Sequence, residues 1–506
     1  MHDPHLSSHA PSAGTPAKGP WYAEMNRYHW FVLIVAALGW LFDCLDQQLF
    51  TLARPTAMRD LLGVSPGDGR IAEWGGYATC IFILGWATGG LIFGALGDRI
   101  GRAKTMVITI LMYSACTGLS ALSQTVYDFA FYRFLTGLGV GGEFAVGVAL
   151  VAEVMPDSAR PRALSLLQAL SAIGNVSAAF IGWGLAPLEA QGISAWRVMF
   201  VIGALPALLA LVIRSRLKEP ERWQAVAGTD ASKASGSYRA LFGDPLWRKH
   251  AIFGLLLAVP GVVGLWGIGF FSGDLTRVVF RRGLADDVYR EARTAATGDT
   301  ARLALLDTLE GWERANTPKD ARTGLDAAQA TVSAEIDAQI SSRQTRWQSI
   351  TLLCQQVGAF LGMYAFGWLA QAIGRKPTFL LAFIAAMFST ALVFWKLNAP
   401  SDFWMIIVMG FFQLSLFAGY AIYFPEIFPT RLRSTGTSFC YNVGRYVAAF
   451  GPVVFGLLTS RVFTGPGYEA PLNWRYAGMS MSLVFLLGIV ALAFLPETKG
   501  RPLPED

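Results

Sequence analysis

Charge is scarce in this chain. Asp, Glu, Lys and Arg supply 15% of its 506 residues, against roughly 25% in an ordinary soluble globule, and apolar residues supply 53%. That balance excludes a soluble globular protein and predicts an integral membrane protein. Histidine is also rare, with five in all and none midway along an apolar run. The cysteines, Cys44, Cys80, Cys116, Cys354 and Cys440, lie within apolar segments without zinc-like spacing, which argues against a disulfide framework and against a metal site. They read as small buried hydrophobes. No P-loop, no His-Glu-x-x-His and no Gly-x-Ser-x-Gly occurs, so no enzyme and no cofactor is expected. Residues 1–27 are polar and rich in Pro, Ser, Gly and His; they lack the apolar core of a signal peptide and read as a disordered tail. Lys and Arg exceed Asp and Glu by 41 to 35. Nucleic acid is not expected as a partner, because these basic residues sit in short loops between apolar runs, where they act as orientation signals.

What is present is apolar length. Twelve segments of about 18 to 25 mostly apolar residues, the first at 30–50 and the last at 474–495, match the roughly 30 Å of hydrocarbon that a helix must cross. The expected fold class is an all-α membrane protein of twelve transmembrane helices in two six-helix halves, at 28–217 and 250–496. A linker at 218–249 joins them and a tail occupies 497–506. Basic residues crowd the loops on one side, which the positive-inside rule makes cytoplasmic together with both termini. The expected location is the plasma membrane, as a multi-pass monomer with lipid and a small-molecule substrate as its partners.

The halves repeat. Gly94-Ala-Leu-Gly-Asp-Arg-Ile-Gly-Arg-Ala-Lys-Thr105 aligns with Gly367-Trp-Leu-Ala-Gln-Ala-Ile-Gly-Arg-Lys-Pro-Thr378, and Glu153-Val-Met-Pro156 with Glu426-Ile-Phe-Pro429, both at an offset of 273 residues. The first spans of the halves are offset by less, which requires an insertion of about 50 residues in the second half. It is visible as the charged stretch 281–346, where Leu303, Leu306 and Leu309, then Leu325, Ala328, Ile336 and Ile340, predict two or more amphipathic helices on the extracytoplasmic side. A cap, a partner-binding module and a self-packed decoration all fit that pattern.

Within the spans a few charges stand out, since an ionisable group at bilayer depth is a functional candidate by default. Asp43 and Asp46 fall about 20 and 24 Å into the first helix, and Arg133, on the antiparallel fourth helix, reaches a similar depth. Gly137, Gly139, Gly141 and Gly142 give that helix a small-residue face. A pair between Asp43 or Asp46 and Arg133 is expected, acting either as a proton switch or as a fixed ion pair. Glu143, deeper on the same helix, is a second proton-transfer candidate or the partner of an arginine. Arg445 lies near the midplane of the eleventh helix, where a guanidinium fork would hold a carboxylate or a helix carbonyl. Asn442, Gln413, Gln355, Gln356, Asn175 and Trp266 are candidates for the rest of a central cavity.

Several motifs carry a resemblance. Gly94-x-Leu-x-Asp98-Arg99-x-Gly101-Arg102, Leu135-x-Gly137-Leu138-x2-Gly141 with Glu153 and Arg160 beyond it, Lys218-Glu-Pro-Glu-Arg-Trp223 and Pro496-Glu-Thr-Lys-Gly500 together resemble the major facilitator superfamily, in its sugar-porter-like branch. Asp43-Cys-Leu-Asp46 is similar to the Asp-Gly-x-Asp motif of aromatic-acid/proton symporters, with Cys44 in place of glycine, and Tyr441-Asn-Val-Gly-Arg445 is similar to the eleventh helix of metabolite/proton symporters. The seventh helix, Val262 to Gly273, lacks the Gln-Gln and Asn/Tyr pattern of sugar porters. The resemblance implies alternating access, with the proton as coupling ion and a small organic anion, such as a monocarboxylate or aromatic acid, as the substrate taken up; a sugar or polyol porter and a non-transporting receptor are the alternatives. It also implies a cytoplasmic gating network of Asp98, Arg99, Arg102, Glu153, Arg160, Arg375, Glu426, Arg431 and Arg433.

Overall fold

A computed structural model describes residues 20–64, 69–190, 193–227, 235–315, 317 and 324–505. Its first half holds α1 (Arg27–Leu62), α2 (Gly69–Ile100), α3 (Arg102–Ser120), α4 (Val126–Val154), α5 (Arg160–Ala169), α6 (Ser171–Ala190), α7 (Ala195–Gly203) and α8 (Ala207–Arg216). Two short helices follow, α9 (Glu221–Ala227) and α10 (Tyr238–Gly243). The second half holds α11 (Pro245–Val263), a π-helical turn at Gly264–Gly269, α12 (Phe270–Ala295), α13 (Thr300–Arg314), α14 (Ala327–Ile373), α15 (Arg375–Lys396), α16 (Phe403–Ile427), α17 (Arg433–Ala448), α18 (Gly451–Leu457), α19 (Leu472–Ser482) and α20 (Phe485–Phe494). Joined end to end where the chain merely bends, as α5 with α6 and α19 with α20, these give the twelve spans of the sequence reading. Among the described residues ten are long and apolar enough to cross a membrane. The other two are α3, whose inner face is lined with hydroxyls, and the α7–α8 pair, interrupted at Ala204–Pro206.

The first span is longer than its apolar run. Asn26 caps α1 in a reciprocal box with His29, and the helix continues past the expected stop at residue 50 until Gly63, whose φ of +63° ends it. Glycines set the spacing within each half. A Cβ added at Gly85 would lie 2.3 Å from the Phe134 carbonyl oxygen and one at Gly358 2.0 Å from that of Ile407, so α2 crosses α4, and α14 crosses α16, backbone to backbone. Gly89 and Gly362, and Gly137 and Gly410, repeat this tight approach. All three pairs keep the 273-residue offset.

The repeat continues where the halves meet. Gly94 packs against Ser438 and Gly367 against Ser165, so α2 meets α17 much as α14 meets α5. Glu219 accepts from the backbone N–H groups of Ala103 (3.2 Å) and Lys104 (3.1 Å) at the start of α3. Glu497 does the same for Arg375 and Lys376 at the start of α15, both at 2.9 Å, an anion at a helix N-terminus in each case.

Three expected segments come out differently. The described residues of the linker at 218–249 are docked on the bundle: Trp223 donates to the Asp98 carbonyl, Tyr238 to that of Leu91 and Gly236 N–H to that of Arg431. The tail beyond residue 497 is likewise anchored, with the Pro504 carbonyl accepting from Arg433. Residues 1–19 of the expected disordered tail lie outside the described residues, while Trp21 packs on Trp30 at the mouth of α1. The insertion is helical as expected, but two of its helices are continuations of spans. α12 runs on to Ala295, and α14, at 47 residues, is about 70 Å long, more than twice the hydrocarbon thickness. With α13 they enclose a separate core of Ala285, Val288, Tyr289, Ala296, Leu306, Leu309, Ile336 and Ile340, tied by Arg281 to Glu313 (2.6 Å) and Arg343 to Glu291 (2.5 Å).

Burial raises the Glu497 carboxyl, but the four backbone N–H groups of Arg375, Lys499, Lys376 and Thr498 outweigh it and hold the group below the usual carboxylate range. A depressed native value gives stability that is present above the unfolded value, near 4.3, and is lost as pH falls through the native one. Glu497→Gln is therefore expected to lower the unfolding temperature at pH 7, with the difference from the parent shrinking as pH falls below about 4, in detergent unfolding curves collected across that range.

Candidate functional site

The first helix presents two faces. Gly39, Asp43 and Asp46 follow one another at i, i+4 and i+7 and look toward α3, α4 and α7, while Trp40, Cys44 and Gln47 look into the space between the halves. The aspartates share a face, as their spacing implies, yet they do not share a partner. Asp46 pairs with Arg133 at 3.5 Å and accepts from Thr117 Oγ1 at 2.8 Å. Arg133 is further held by Ser120 at 2.8 Å and Thr136 at 3.0 Å, with its guanidinium 4.6 Å from the Phe200 ring centre. This is the expected carboxylate–Arg133 pair, assigned to Asp46. Asp43 is not part of it.

Asp43 lies one turn nearer the start of α1 and is 1% exposed. Beside it are Glu143, Asp46 and the Tyr113 hydroxyl. Glu143, read from its depth as a possible partner of an arginine, pairs with none among the described residues. It accepts from Thr109 Oγ1 at 3.0 Å and lies against α1, where a Cβ on Gly39 would come 2.2 Å from its Oε1.

Between the halves is a cavity of about 200 Å³. Arg445 lies at its deep end, 3% exposed, with its guanidinium carbon 4.1 Å from the Trp86 ring centre and 4.3 Å from that of Tyr441. Nη1 donates to Asn442 Oδ1 at 2.6 Å, and Nε has no partner. Among the described residues no carboxylate pairs with this arginine. Gln355, Gln356, Asn175 and Trp266 line the cavity as expected, and Asn175 donates to Gln356 across the two halves at 3.3 Å. Asn442 and Gln413 do not line it. Asn442 is fully buried behind Arg445 and holds it in place, donating in turn to Ser438 (2.9 Å). Gln413 donates to the Gly264 carbonyl in the π turn at 2.8 Å, a group that the wide turn frees from the helix ladder. Trp40, Trp86, Gln168, Ser171 and Tyr441 line the cavity without having been singled out. Trp40, Cys44 and Gln47, one and two turns apart on one face of α1, were the available signal.

At the Arg-rich end of the bundle the halves are locked together. Asp98 accepts from the backbone N–H groups of Ser434 (3.1 Å) and Thr435 (2.8 Å), at the N-terminus of α17, where a helix attracts an anion. Arg102 binds Glu153 (2.8 Å) and the Thr430 carbonyl (2.8 Å), and Arg433 reaches across to the same Glu153 oxygen at 2.8 Å. Arg99 donates to the Ser235 carbonyl. Arg375 and Glu426 repeat the Arg102–Glu153 pair within the second half at 2.7 Å, and Arg160 stays within the first half, on Asp157 and the Ala152 carbonyl. Of the expected network, then, Asp98, Arg102, Glu153 and Arg433 bridge the halves by their side chains, and Arg431 holds the linker through its carbonyl.

A twelve-span bundle of two repeated halves, locked at one end, with a central cavity between them, has the architecture of a carrier. Two family models match, one to each half: "Sugar (and other) transporter" over residues 50–251 and "Major Facilitator Superfamily" over 324–506. The "Niacin transporter NiaP" of Acinetobacter baylyi is 24% identical over 95% of this chain and 96% of its own length. The "Probable 4-methylmuconolactone transporter" of Cupriavidus pinatubonensis is 26% identical over 91% and 89%. The structure of the proton:xylose symporter XylE superposes with a TM-score of 0.58 over 94% of this chain and 98% of that one, at 17% identity, a likeness of fold. The chain belongs to the major facilitator superfamily. It is a multi-pass membrane transporter of small molecules and not an enzyme.

Hydrogen bonds to a charged group contribute about 1.5–3 kcal/mol. Asp98→Asn is expected to shift the balance toward opening at the Arg-rich end by roughly ten- to hundredfold. The check is the maleimide labelling rate of a cysteine replacing the fully buried Thr437, with and without Asp98→Asn.

Proposed function

We propose that the protein is a proton-coupled symporter that takes up a small organic anion, an aromatic monocarboxylate above all, by alternating access. The observation that carries this reading is Arg445: a buried guanidinium, open to a central cavity, with aromatic rings on either side and no protein carboxylate paired to it among the described residues. A guanidinium stays charged at any physiological pH, so it requires an anion to complete it. A carboxylate ligand supplies one in the planar, two-point geometry that the fork favours. Trp40, Trp86, Trp266 and Tyr441 offer flat apolar surface to a ring, and the amides of Gln355, Gln356 and Asn175 offer hydrogen bonds to ring substituents. A relative whose name gives niacin as its cargo supports an aromatic acid.

In this reading the lock at the Arg-rich end leaves the cavity to be reached from the opposite end. By the positive-inside rule that end is cytoplasmic, as are both termini, so the arrangement is the outward-facing half of the cycle in the plasma membrane. The anion enters past Leu52 and Ser349 at the cavity's outer rim and meets Arg445. The halves then close over it while the Asp98, Arg102, Glu153 and Arg433 contacts release. Each of those contacts is modest, and a balanced two-state equilibrium needs no more. The protein acts as a monomer in this reading, since each chain holds a complete cavity.

Aromatic monocarboxylates such as benzoate are expected to raise the unfolding temperature of the purified protein, and neutral sugars to leave it unchanged. Truncating one partner of a buried charge pair costs about 2–5 kcal/mol, so Arg445→Gln should weaken that binding at least about thirtyfold. Stabilisation by sugars and not by carboxylates, or an undiminished benzoate response in Arg445→Gln, would overturn the proposal.

A further inference from the structure

The cavity holds one arginine at its deep end, and a second stands above its mouth. On α1, Trp40 and Gln47 line the cavity seven residues apart, and seven more place Arg54 on that face, about 10 Å outward of Gln47. On α2, which runs the opposite way, Trp86 lies against Arg445. Seven residues outward of Trp86, again about 10 Å, is Thr79. The two meet: Arg54 Nη1 donates to Thr79 Oγ1 at 2.6 Å. Counting along either helix therefore puts the Arg54 guanidinium in one place, beside α2, one heptad outward of Arg445 and at the end opposite the Arg-rich lock.

Arg54 is half-buried, and its stem lies along Gly75, where an added Cβ would come within 3.4 Å of Cδ and Nε. The Thr79 hydroxyl donates its own proton to the Gly75 carbonyl at 2.8 Å, so toward Arg54 it can only accept. That bond aims the guanidinium and leaves its charge in place. Among the described residues Thr79 is its one hydrogen-bond partner, and no carboxylate pairs with it. The acids of α1 and α2 at this end are engaged elsewhere: Asp60 accepts from Trp196 and pairs with Arg197, and Glu73 accepts from the Tyr77 hydroxyl. A partly buried cation without a protein counter-charge is completed by water or by an anion that comes and goes.

The geometry points to Arg54 as an outer docking site for the carboxylate of the incoming anion, which it holds at the mouth of the cavity before Arg445 takes it. This deepens the carrier reading and rests on it for the identity of the anion. With the two guanidiniums one heptad apart along the bundle, a monocarboxylate leaves the first as it reaches the second, and the Gln47 side chain lies on the way. A charge set between low-dielectric walls raises the local concentration and arrival rate of its counter-ion. Arg54 thus acts on capture and not on the closing of the halves. A lipid phosphate offers the same oxyanion chemistry, but Arg54 follows the cavity residues of α1 and lies on the opposite side of that helix from the exposed Ile34.

The attraction can be read without a substrate. A reporter protein carries Gln47→Cys, with the exposed native thiol removed by Cys80→Ser. In phospholipid-free detergent its new thiol is expected to react faster with a negatively charged methanethiosulfonate than with a positively charged one. Arg54→Gln should lower that ratio of rates about tenfold, the effect of one charge acting over about 10 Å under partial screening, and Arg54→Lys should keep it. A ratio unchanged by Arg54→Gln, or lost as fully in Arg54→Lys, would overturn the proposal. So would a reporter ratio that collapses when phosphatidylglycerol is added, because a lipid headgroup is then the occupant. In proteoliposomes with labelled benzoate as probe, Arg54→Gln is expected to raise KM about tenfold at low salt, less at high salt, with kcat little changed. An unchanged KM, or a loss confined to kcat, would also overturn it. If the parent protein does not carry benzoate, that failure falls on the substrate reading, and the labelling ratio alone decides the outer site.

Discussion

Inside a lipid-embedded bundle there is no bulk water to solvate a charge, so each buried ionic group must be met by protein, neutralised or completed by something that comes and goes. The architecture of this chain sorts its charges by that rule. At the Arg-rich end, Asp98, Arg102, Glu153 and Arg433 answer one another across the halves. Within the first half, Asp46 answers Arg133 and the hydroxyls of α3 surround both. That leaves Arg445 without a paired carboxylate among the described residues. An incomplete cation facing a central cavity is what binding of an anion needs.

The rest of the fold serves to move these groups without exposing them to lipid. Glycine crossings repeated at 273 residues make each half a rigid unit, because at backbone contact there is no side chain left to rearrange. Between the halves the contacts are of another kind: hydrogen bonds to the end of α17, one shared glutamate and a few stacked rings. These can be exchanged for water or substrate, whereas the glycine crossings cannot. The acid lock is one-sided as well. Asp98 has Gln371 as its counterpart in the second repeat, and the position matching Ser434 is Pro161, which has no N–H to donate. Pseudo-symmetry thus supplies two halves of like shape, and its local failure supplies a lock that one end possesses.

Much of this was legible in the sequence. Apolar length gave the spans and a single offset the repeat, because these depend on composition and register alone. Intramembrane charge marked Asp43, Asp46, Arg133, Glu143 and Arg445. Partner choice was not legible: helical spacing put both aspartates on one face, but which of them meets Arg133 depends on the axial fit of α1 against α4, where Gly39 makes room for Glu143. The cavity lining was missed in part for a related reason. Trp40, Trp86 and Tyr441 look like ordinary core aromatics until Arg445 is placed between two of them. Asn442 and Gln413, polar and near the midplane, turned out to support the site from behind, since an arginine and a π turn each need a fixed hydrogen-bond partner. The docked linker escaped notice because its Gly/Ser-rich composition hides the anchoring residues at either side.

The central claim is that an organic anion completes Arg445. The most direct measurement is a structure of the protein determined by crystallography or electron cryomicroscopy in the presence of benzoate. This account requires the carboxylate within hydrogen-bond distance of the Arg445 guanidinium, with the ring in the space bounded by Trp86, Trp266 and Tyr441. Ligand seated elsewhere, with Arg445 unengaged or paired to a carboxylate of the protein itself, would contradict it.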